Sequence, residues 1–476
     1  MADKSGPPQI EKIISASKPG VGHTAFEIRF IWWGLFFTLF GGLALGALSV
    51  AGTAFERNFI EFQFAYTQLH GHLQLVGWTG CFIIPISLHF IPRFAGIPLE
   101  NKKAPSIILV LVILSLILRY TGSFFLPYCS GIYFKIGLWI LFLSAALFLT
   151  GILYYIRTLF RIMTVAKIKM RRPALPPVAP FLMMVLAGWF IYAVLNFILM
   201  AQLIVTQSIL LDRMWNEFAI EIFLAFVLFP ISFSFAIRTF PLYFRLPAAD
   251  WPVRQLAFIY LISVLVYLIP QIPIAQLENS NVAENISAIG VVVRNFIVLW
   301  LVWKLDIITR LQKSWLQKQE AVFSETRRPT RPGMPDYGEY GRFELLIYAA
   351  FIWLVLGVIC QIVNEFFTIF YAYKIISDDL IRHAYLLGFI TNLILGMAPR
   401  MIPAFMGVKW IYKPELVTFA FIMINIAIAG RILPLLAPNL FREIGTNFYG
   451  FSGVFAMGAI LCLWIILYKS QKRAGK

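Results

Sequence analysis

The 476-residue chain is 60% hydrophobic, 16% aromatic and only 13% charged, which is too apolar for a water-soluble protein with an ordinary surface. Its mean hydropathy of +0.79 agrees, so most of the chain must face lipid. The net charge of +17 would suggest nucleic-acid binding in a soluble protein. Here, however, the Lys and Arg residues lie in short loops between apolar runs, where they set membrane orientation. We therefore expect the lipid bilayer, and not nucleic acid, as the partner of this surface.

Twelve apolar stretches are long enough to cross about 30 Å of hydrocarbon as helices. In chain order they lie near residues 29–53, 70–92, 105–126, 134–158, 180–205, 216–240, 255–275, 286–304, 343–368, 381–405, 416–437 and 447–468. The sequence therefore predicts an all-α, polytopic protein of about twelve transmembrane helices, with residues 1–476 in a single membrane domain.

Positive charge collects in the loops that follow the even-numbered spans. Lys102 and Lys103 follow span 2, and the same side receives the basic residues of 304–342 and of the C-terminal tail. Cytoplasmic loops carry such an excess of Lys and Arg. We therefore predict that both termini are cytoplasmic, in a bacterial cytoplasmic (inner) membrane. Residues 311–342 are charged and contain three prolines, which predicts an exposed cytoplasmic connector.

Spans 2 and 10 share one spaced pattern of residues. Span 2 reads His72, Gly77, His89, Pro92 and Gly96, and span 10 reads His383, Gly388, Arg400, Pro403 and Gly407. A weaker copy in span 6 is led by Glu221, with Arg and Pro at the same two offsets. This pattern predicts a pseudo-threefold repeat of four-helix units, approximately 29–160, 180–310 and 343–468.

The three leading residues, His72, Glu221 and His383, lie at the starts of spans separated by four spans each. All three spans then run inward from the outer face, so these side chains lie at similar depth in the outer half of the bilayer. Internal repeats in membrane proteins tend to place sites where the repeats meet. We therefore expect the three residues to face a common interior.

Two imidazoles from facing helices can hold one haem iron, which needs only one His on each helix at matched depth. His72 and His383 meet that requirement. His70 is about 200° round the helix from His72, so the two cannot point at one iron. His70 is therefore the alternative ligand. Interior polar residues without a metal, or a non-haem metal site, are further interpretations.

Four other ionisable residues lie inside spans, where an ionisable side chain is costly and is a functional candidate by default. Glu221 is interpreted as a metal ligand or proton acceptor, or else as a structural partner of Arg294. Arg294 in span 8 and Arg431 in span 11 could bind haem propionates through both guanidinium nitrogens. Arg119 in span 3 is a weaker candidate, because snorkelling toward the interface explains it.

The run HGHLQLVGW of span 2, ending in HFIPRFAG, and the run RHAYLLGF of span 10, ending in MAPRMIPAFMG, resemble the NnrS family of haem- and copper-associated membrane proteins. More distantly, twelve spans with pseudo-threefold symmetry are similar to the catalytic subunit of haem-copper oxidases. In that family one His of span 2 and one of span 10 hold a low-spin haem. The resemblance implies that His72 or His70, together with His383, occupies the matching places here.

The chain also departs from the oxidase pattern. That family places copper-ligand histidines on spans 6 and 7 and a second haem-ligand His on span 10, whereas this chain has five histidines in total and none in spans 6 and 7. An imidazole-rich copper site cannot be built from that set. The resemblance therefore implies a haem-binding subunit that is not itself an oxygen reductase.

The function expected from this resemblance is electron transfer within a respiratory complex, or nitric-oxide-linked metal chemistry, with haem b as cofactor and a possible second metal near Glu221. Its expected partners are other respiratory-complex subunits or a cytochrome c. Two alternatives come from other classes of protein. One is a proton-coupled transporter. The repeats here run parallel rather than inverted, which argues against it, although parallel repeats also occur in transporters. The other is a structural subunit that keeps the scaffold but has no cofactor.

Overall fold

The computed structural model describes residues 26–56, 62–168, 175–244, 249–273, 280–309, 338–408, 410–440 and 444–474. Helices and turns account for these residues, and no strand occurs among them. The helices are α1 Arg29–Ala54, α2 Gln63–Ala95, α3 Ala104–Tyr128, α4 Gly131–Ala166, α5 Ala179–Thr206, α6 Arg213–Pro241, α7 Val253–Leu268, α8 Val282–Leu305, α9 Phe343–Tyr371, α10 Asp378–Phe405, α11 Glu415–Leu436 and α12 Gly445–Arg473.

The all-α, multi-pass membrane fold predicted from the sequence is confirmed. In the described ranges, 11 helices are long and apolar enough to cross a membrane, and α7 is the shorter twelfth. The predicted seventh span, 255–275, is longer than α7, which ends at Leu268 just before Pro270 and Pro273. Proline disfavours helical geometry in the residue before it and lacks a backbone donor, which accounts for the early end. Most of the predicted connector 311–342 lies outside the described residues.

The bundle has an inner and an outer layer. Buried residues make up 83% of the most apolar stretch of α2 and of α6 and 61% of that of α10. In the other helices long enough to cross a membrane, the share is 39–56%. Consecutive outer helices pack together in three arcs, α3–α4–α5, α7–α8–α9 and α11–α12–α1. The three inner helices are those that carry the leading residues of the sequence repeat, which agrees with a pseudo-threefold arrangement.

Each inner helix contains a π-helical segment close to its leading residue. The segments are Leu73–Gly80 in α2, Phe223–Leu228 in α6 and Ala384–Thr391 in α10, and α1 contains a fourth at Phe37–Leu43. In α2 and α10 the segment begins directly after His72 and His383. Such segments widen the helix locally and occur frequently at functional sites. They direct attention to this end of the bundle.

A buried hydrogen bond joins the two His-bearing helices. The indole Nε1 of Trp78 in α2 donates to Oγ1 of Thr391 in α10 over 3.3 Å, and Trp78 is only 1% exposed. The Thr391 hydroxyl in turn donates to the carbonyl oxygen of Leu386 over 2.9 Å. Because both partners lie within or at the end of π-helical segments, the bond holds those segments side by side.

Glycine permits a close backbone approach between two outer helices. A Cβ atom added at Gly290 in α8 would lie 2.5 Å from the backbone nitrogen of Tyr267 in α7 and 2.8 Å from its Cα. Small residues allow membrane helices to pack this closely, and close packing is a main source of their association in lipid. Gly290 is therefore a contact at which no larger side chain fits without moving backbone.

Replacing Gly290 by Ala should lower the thermal unfolding midpoint, since the obstructing atoms belong to backbone and overpacking of this kind costs about 1–3 kcal/mol. Gly458→Ala in α12 is the matched control, because the nearest atom to its added Cβ is Met423 Sδ at 3.7 Å. Both variants gain the same helix propensity, so the difference between their midpoints isolates the clash. Equal midpoints, measured in the same detergent, would contradict the packing described here.

Candidate functional site

A cavity of about 610 Å³ lies at the N-terminal ends of α2 and α10. Its size falls within the range of about 300–1,000 Å³ typical of ligand and cofactor sites. Three of the five histidines line it, namely His70, His72 and His383. Much of the remaining wall is apolar and comes from α1, α10, α11 and α12: Leu43, Val50, Leu386, Leu387, Ile424, Ala456 and Ile460.

His70 is oriented by the backbone of α1. Its Nδ1 lies 2.6 Å from the carbonyl oxygen of Gly42, so an Nδ1–H donating to that carbonyl leaves the Nε2 lone pair available. Gly46 makes room for the ring, because a Cβ atom added there would lie 2.5 Å from His70 Cε1. A backbone carbonyl that accepts from one ring nitrogen, and so fixes the tautomer, is typical of metal-ligating histidines.

His383 is oriented in the same way by its own helix. Its Nδ1 lies 2.8 Å from the carbonyl oxygen of Asp379, one turn earlier, and 3.3 Å from the carboxylate oxygen Oδ1 of the same residue. Arg431 in α11 donates from Nη2 to the other carboxylate oxygen over 3.1 Å. The Asp379 carboxylate thus ties α10 to α11 and holds the His383 ring with Nε2 free to accept a ligand.

The structure brings His70, rather than His72, toward His383. His70 is close enough to interact electrostatically with His383, Asp379 and Arg431. His72 lies on the opposite side of α2, where its ring stacks on Tyr192 at a centroid distance of 6.3 Å and its Nδ1 lies 3.1 Å from the Tyr192 hydroxyl. The two histidines are about 200° apart round the helix, so they have different neighbours. The sequence repeat aligned His72 with His383 but did not specify which face of α2 points toward α10.

Two arginines present unpaired N–H groups at this end of the bundle. Nε and Nη1 of Arg431 and Nε of Arg382 are buried and have no hydrogen-bond partner among the described residues. Both side chains line the cavity, and the Arg431 guanidinium carbon lies 4.6 Å from the ring centroid of Tyr449. Buried N–H donors without acceptors are costly. A carboxylate in the cavity would satisfy them.

Arg294 and Glu221 lie apart from the cavity, in a polar cluster of their own. Arg294 is 1% exposed and donates from Nη2 to Gln361 Oε1 over 2.6 Å and to Asn295 Oδ1 over 3.1 Å. Its guanidinium carbon also lies 5.1 Å from the ring centroid of Tyr267. Tyr267 in turn donates to Glu221 Oε2 over 2.7 Å. The pairing expected between Glu221 and Arg294 thus runs through Tyr267.

This cluster does not fit the metal or propionate roles expected for its members. The Glu221 carboxylate already accepts a hydrogen bond from the Tyr267 phenol and interacts electrostatically with the Arg294 guanidinium, a cation that would repel a metal ion. Within the described ranges, no group of three or more His, Cys, Asp or Glu residues could hold a metal ion. Arg294 uses its donors on Gln361 and Asn295 and does not line the cavity.

Several site residues were missed in the sequence. Asp379 and Arg382 lie within one turn of His383, and the spacing of four between Asp379 and His383 is a pattern that could have identified the first. Arg119 was attributed to snorkelling, but it is only 4% exposed and lines the cavity. No sequence pattern identifies Gly42, because its carbonyl oxygen meets His70 only through the packing of α1 against α2.

Comparison with known proteins supports the fold. No family model matches this chain, and no curated protein matches it either. Among solved structures, a chain of a haem-copper terminal oxidase dimer determined by cryo-EM is similar, with a TM-score of 0.64 and 14% sequence identity. The similarity covers 93% of this chain and 83% of that chain. At this identity the likeness concerns the fold alone, and the resemblance to the NnrS family stays a prediction. This chain is a multi-pass membrane protein built on a scaffold like that of haem-copper oxidases.

Proposed function

We propose that this chain holds one low-spin b-type haem between α2 and α10, with His70 and His383 as axial ligands, and transfers electrons within a respiratory membrane assembly. The observation that carries the proposal is the matched orientation of the two rings. Each lines the same cavity and each has its Nδ1 against a backbone carbonyl, at 2.6 Å and 2.8 Å. Each Nε2 atom is therefore left free to bind a haem iron in that cavity.

The rest of the cavity suits the same group. Aliphatic side chains form an apolar enclosure for a porphyrin, and Arg431 and Arg382 supply buried N–H donors for its propionates. Guanidinium groups bind carboxylates through two parallel hydrogen bonds. A bound haem would supply a one-electron carrier. Arg431 would favour the reduced state through its positive charge, and Asp379 would keep His383 in the ligating tautomer.

His70 and His383 together favour electron transfer by a haem over binding and conversion of a substrate at its iron. If His70 and His383 both held a haem iron, they would occupy the positions at which oxygen or nitric oxide would otherwise bind, and the group would supply electron transfer. α6 and α7 contain no histidine that could hold a copper ion. Arg294 of α8 lies there instead, between Tyr267 of α7 and Gln361 of α9. We therefore propose a subunit that passes electrons to or from another respiratory subunit or a cytochrome c.

We propose a bacterial cytoplasmic membrane location with both termini cytoplasmic. The basis is the distribution of positive charge along the chain. Lys102 and Lys103 lie in the turn between α2 and α3, and Lys304 and Arg473 lie at the C-terminal ends of α8 and α12. In an alternating helix bundle these positions share one side of the membrane, and an excess of Lys and Arg marks the cytoplasmic side.

The purified chain should show sharp low-spin haem bands in its reduced-minus-oxidised visible spectrum, with metal analysis giving about one iron per chain. Replacing His383 by Ala should abolish those bands while the protein still inserts, because one axial ligand is lost. An unchanged spectrum in the variant would refute ligation by His383. A colourless wild type without metal would remove the proposal and leave a transporter or a cofactor-free structural subunit.

His70→Ala and His72→Ala are a matched pair that separates the two candidate ligands of α2. We expect the low-spin spectrum to disappear in His70→Ala and to persist in His72→Ala, because only the His70 ring lies near His383. The measurement is the visible spectrum together with the haem content per chain. The opposite result would make His72 the ligand and would require α2 to turn when haem binds.

Replacing Arg431 by Gln should lower the midpoint potential of the haem by on the order of 50 mV, or about 1 kcal/mol. The reason is that a nearby positive charge stabilises the reduced, less positive state. Arg254→Gln is the control, since Arg254 is exposed on α7 and does not line the cavity. A spectroscopic redox titration measures both. If the two variants shift equally, Arg431 does not face the haem.

A further inference from the structure

Arg119 is a buried positive charge at the other side of α2 from His70. It lies in α3, is 4% exposed and lines the cavity. Its Nη1 contacts the sulfur atom of Met200, which is a weak acceptor. Its Nε is buried and has no hydrogen-bond partner among the described residues. Among these contacts, the positively charged guanidinium therefore has a weak sulfur acceptor and an unpaired Nε–H, and no carboxylate.

A stripe of residues on α5 faces this guanidinium. Tyr192, Asn196 and Met200 are spaced four apart, so they share one face of the helix. Tyr192 and Asn196 line the cavity, are 5% and 6% exposed, and bring a hydroxyl and an amide to its wall. His72 completes the group through its 3.1 Å contact with the Tyr192 hydroxyl. We call this part of the cavity the Arg119 recess.

The charge of Arg119 is not balanced by a carboxylate of the described chain. The residues of the described chain that interact with it electrostatically include Tyr192 and His72, and neither is a carboxylate. The two acidic residues that line the cavity are both engaged elsewhere: Asp379 pairs with Arg431 and Glu217 pairs with Arg213 over 2.9 Å. An unpaired guanidinium buried at membrane depth is strongly unfavourable. A negatively charged group that enters from the cavity would remove this cost.

We propose that the Arg119 recess binds a small singly charged oxyanion or carboxylate, at a site separate from the His70 and His383 end of the cavity. The guanidinium presents parallel N–H groups that match two oxygens of one planar group. The Asn196 amide and the Tyr192 hydroxyl can donate to the same oxygens. A free anion such as formate or nitrite, and the carboxylate of a larger bound molecule, share this chemistry.

The occupant of the recess is independent of the proposed haem. His70 and His383 are both replaceable without touching Arg119, because they lie near α1 and α11 rather than near α3 and α5. Haem-free His383→Ala protein should therefore still bind the anion. This separates the two proposals, since either one can fail while the other holds.

The test is calorimetric titration of sodium formate into the full chain in detergent, in a low-salt zwitterionic buffer. We expect one formate per wild-type chain, at least about tenfold weaker binding to Arg119→Gln, and wild-type binding to Arg254→Gln. Arg119→Gln should unfold at no lower temperature than wild type without formate, because it removes an unpaired charge. Arg119→Lys, which retains charge without the planar fork, should bind with intermediate affinity.

Two arms distinguish the sources of the anion. Binding of formate to the chain as purified identifies a free small anion as occupant. Formate binding that appears only after solvent extraction, with an organic acid released from wild type and absent from Arg119→Gln extracts, identifies the carboxylate of a larger molecule. The proposal is overturned if Arg119→Gln binds formate as tightly as wild type, or if neither formate nor a released acid depends on Arg119.

Discussion

Polar and charged side chains inside this protein must be satisfied by the protein or by a ligand, because lipid offers no hydrogen bonds and little water reaches the interior. The bundle responds to this constraint in two ways. The cluster around Arg294 is closed, since Gln361, Asn295 and the ring of Tyr267 surround the guanidinium. The cavity at the starts of α2 and α10 is open, and its arginines keep buried N–H groups without acceptors. We interpret the first as structural and the second as a binding site.

The fold is similar to that of a haem-copper terminal oxidase chain, but the polar groups are distributed differently from the oxidase pattern. His70 of α2 and His383 of α10 line one cavity, and each of these two rings is held through Nδ1 by a backbone carbonyl. Around α6, α7 and α8 a guanidinium, a carboxylate and a phenol occupy the interior instead. The phenol donates to the carboxylate, and the guanidinium donates to side-chain amide oxygens, so these donors and acceptors satisfy one another within the cluster. The proposed electron carrier therefore does not depend on a copper centre in the same bundle.

Backbone geometry prepares the cavity before any ligand enters. π-helical segments follow His72 and His383 directly, and the hydrogen bond from Trp78 to Thr391 keeps the two segments together. Gly46 leaves space for the His70 ring against α1. Each feature places a side chain without using a polar group that the ligand would need. Preorganised surroundings of this kind hold a ligating ring in its productive orientation.

The sequence by itself determined the membrane class, the helical spans and the residue repeat shared by α2, α6 and α10, because hydrophobic length and a residue repeat are local properties of the chain. The end of α7 at Leu268 was also encoded locally, by Pro270, although the predicted span ran past it. Which face of α2 meets α10 was decided only by the tertiary structure. A shift of two residues along a helix turns a side chain by about 200°, so His70 and His72 are indistinguishable until α1 and α5 are packed around them. Arg119 and Arg294 likewise acquire different roles only when the groups beside each guanidinium are known.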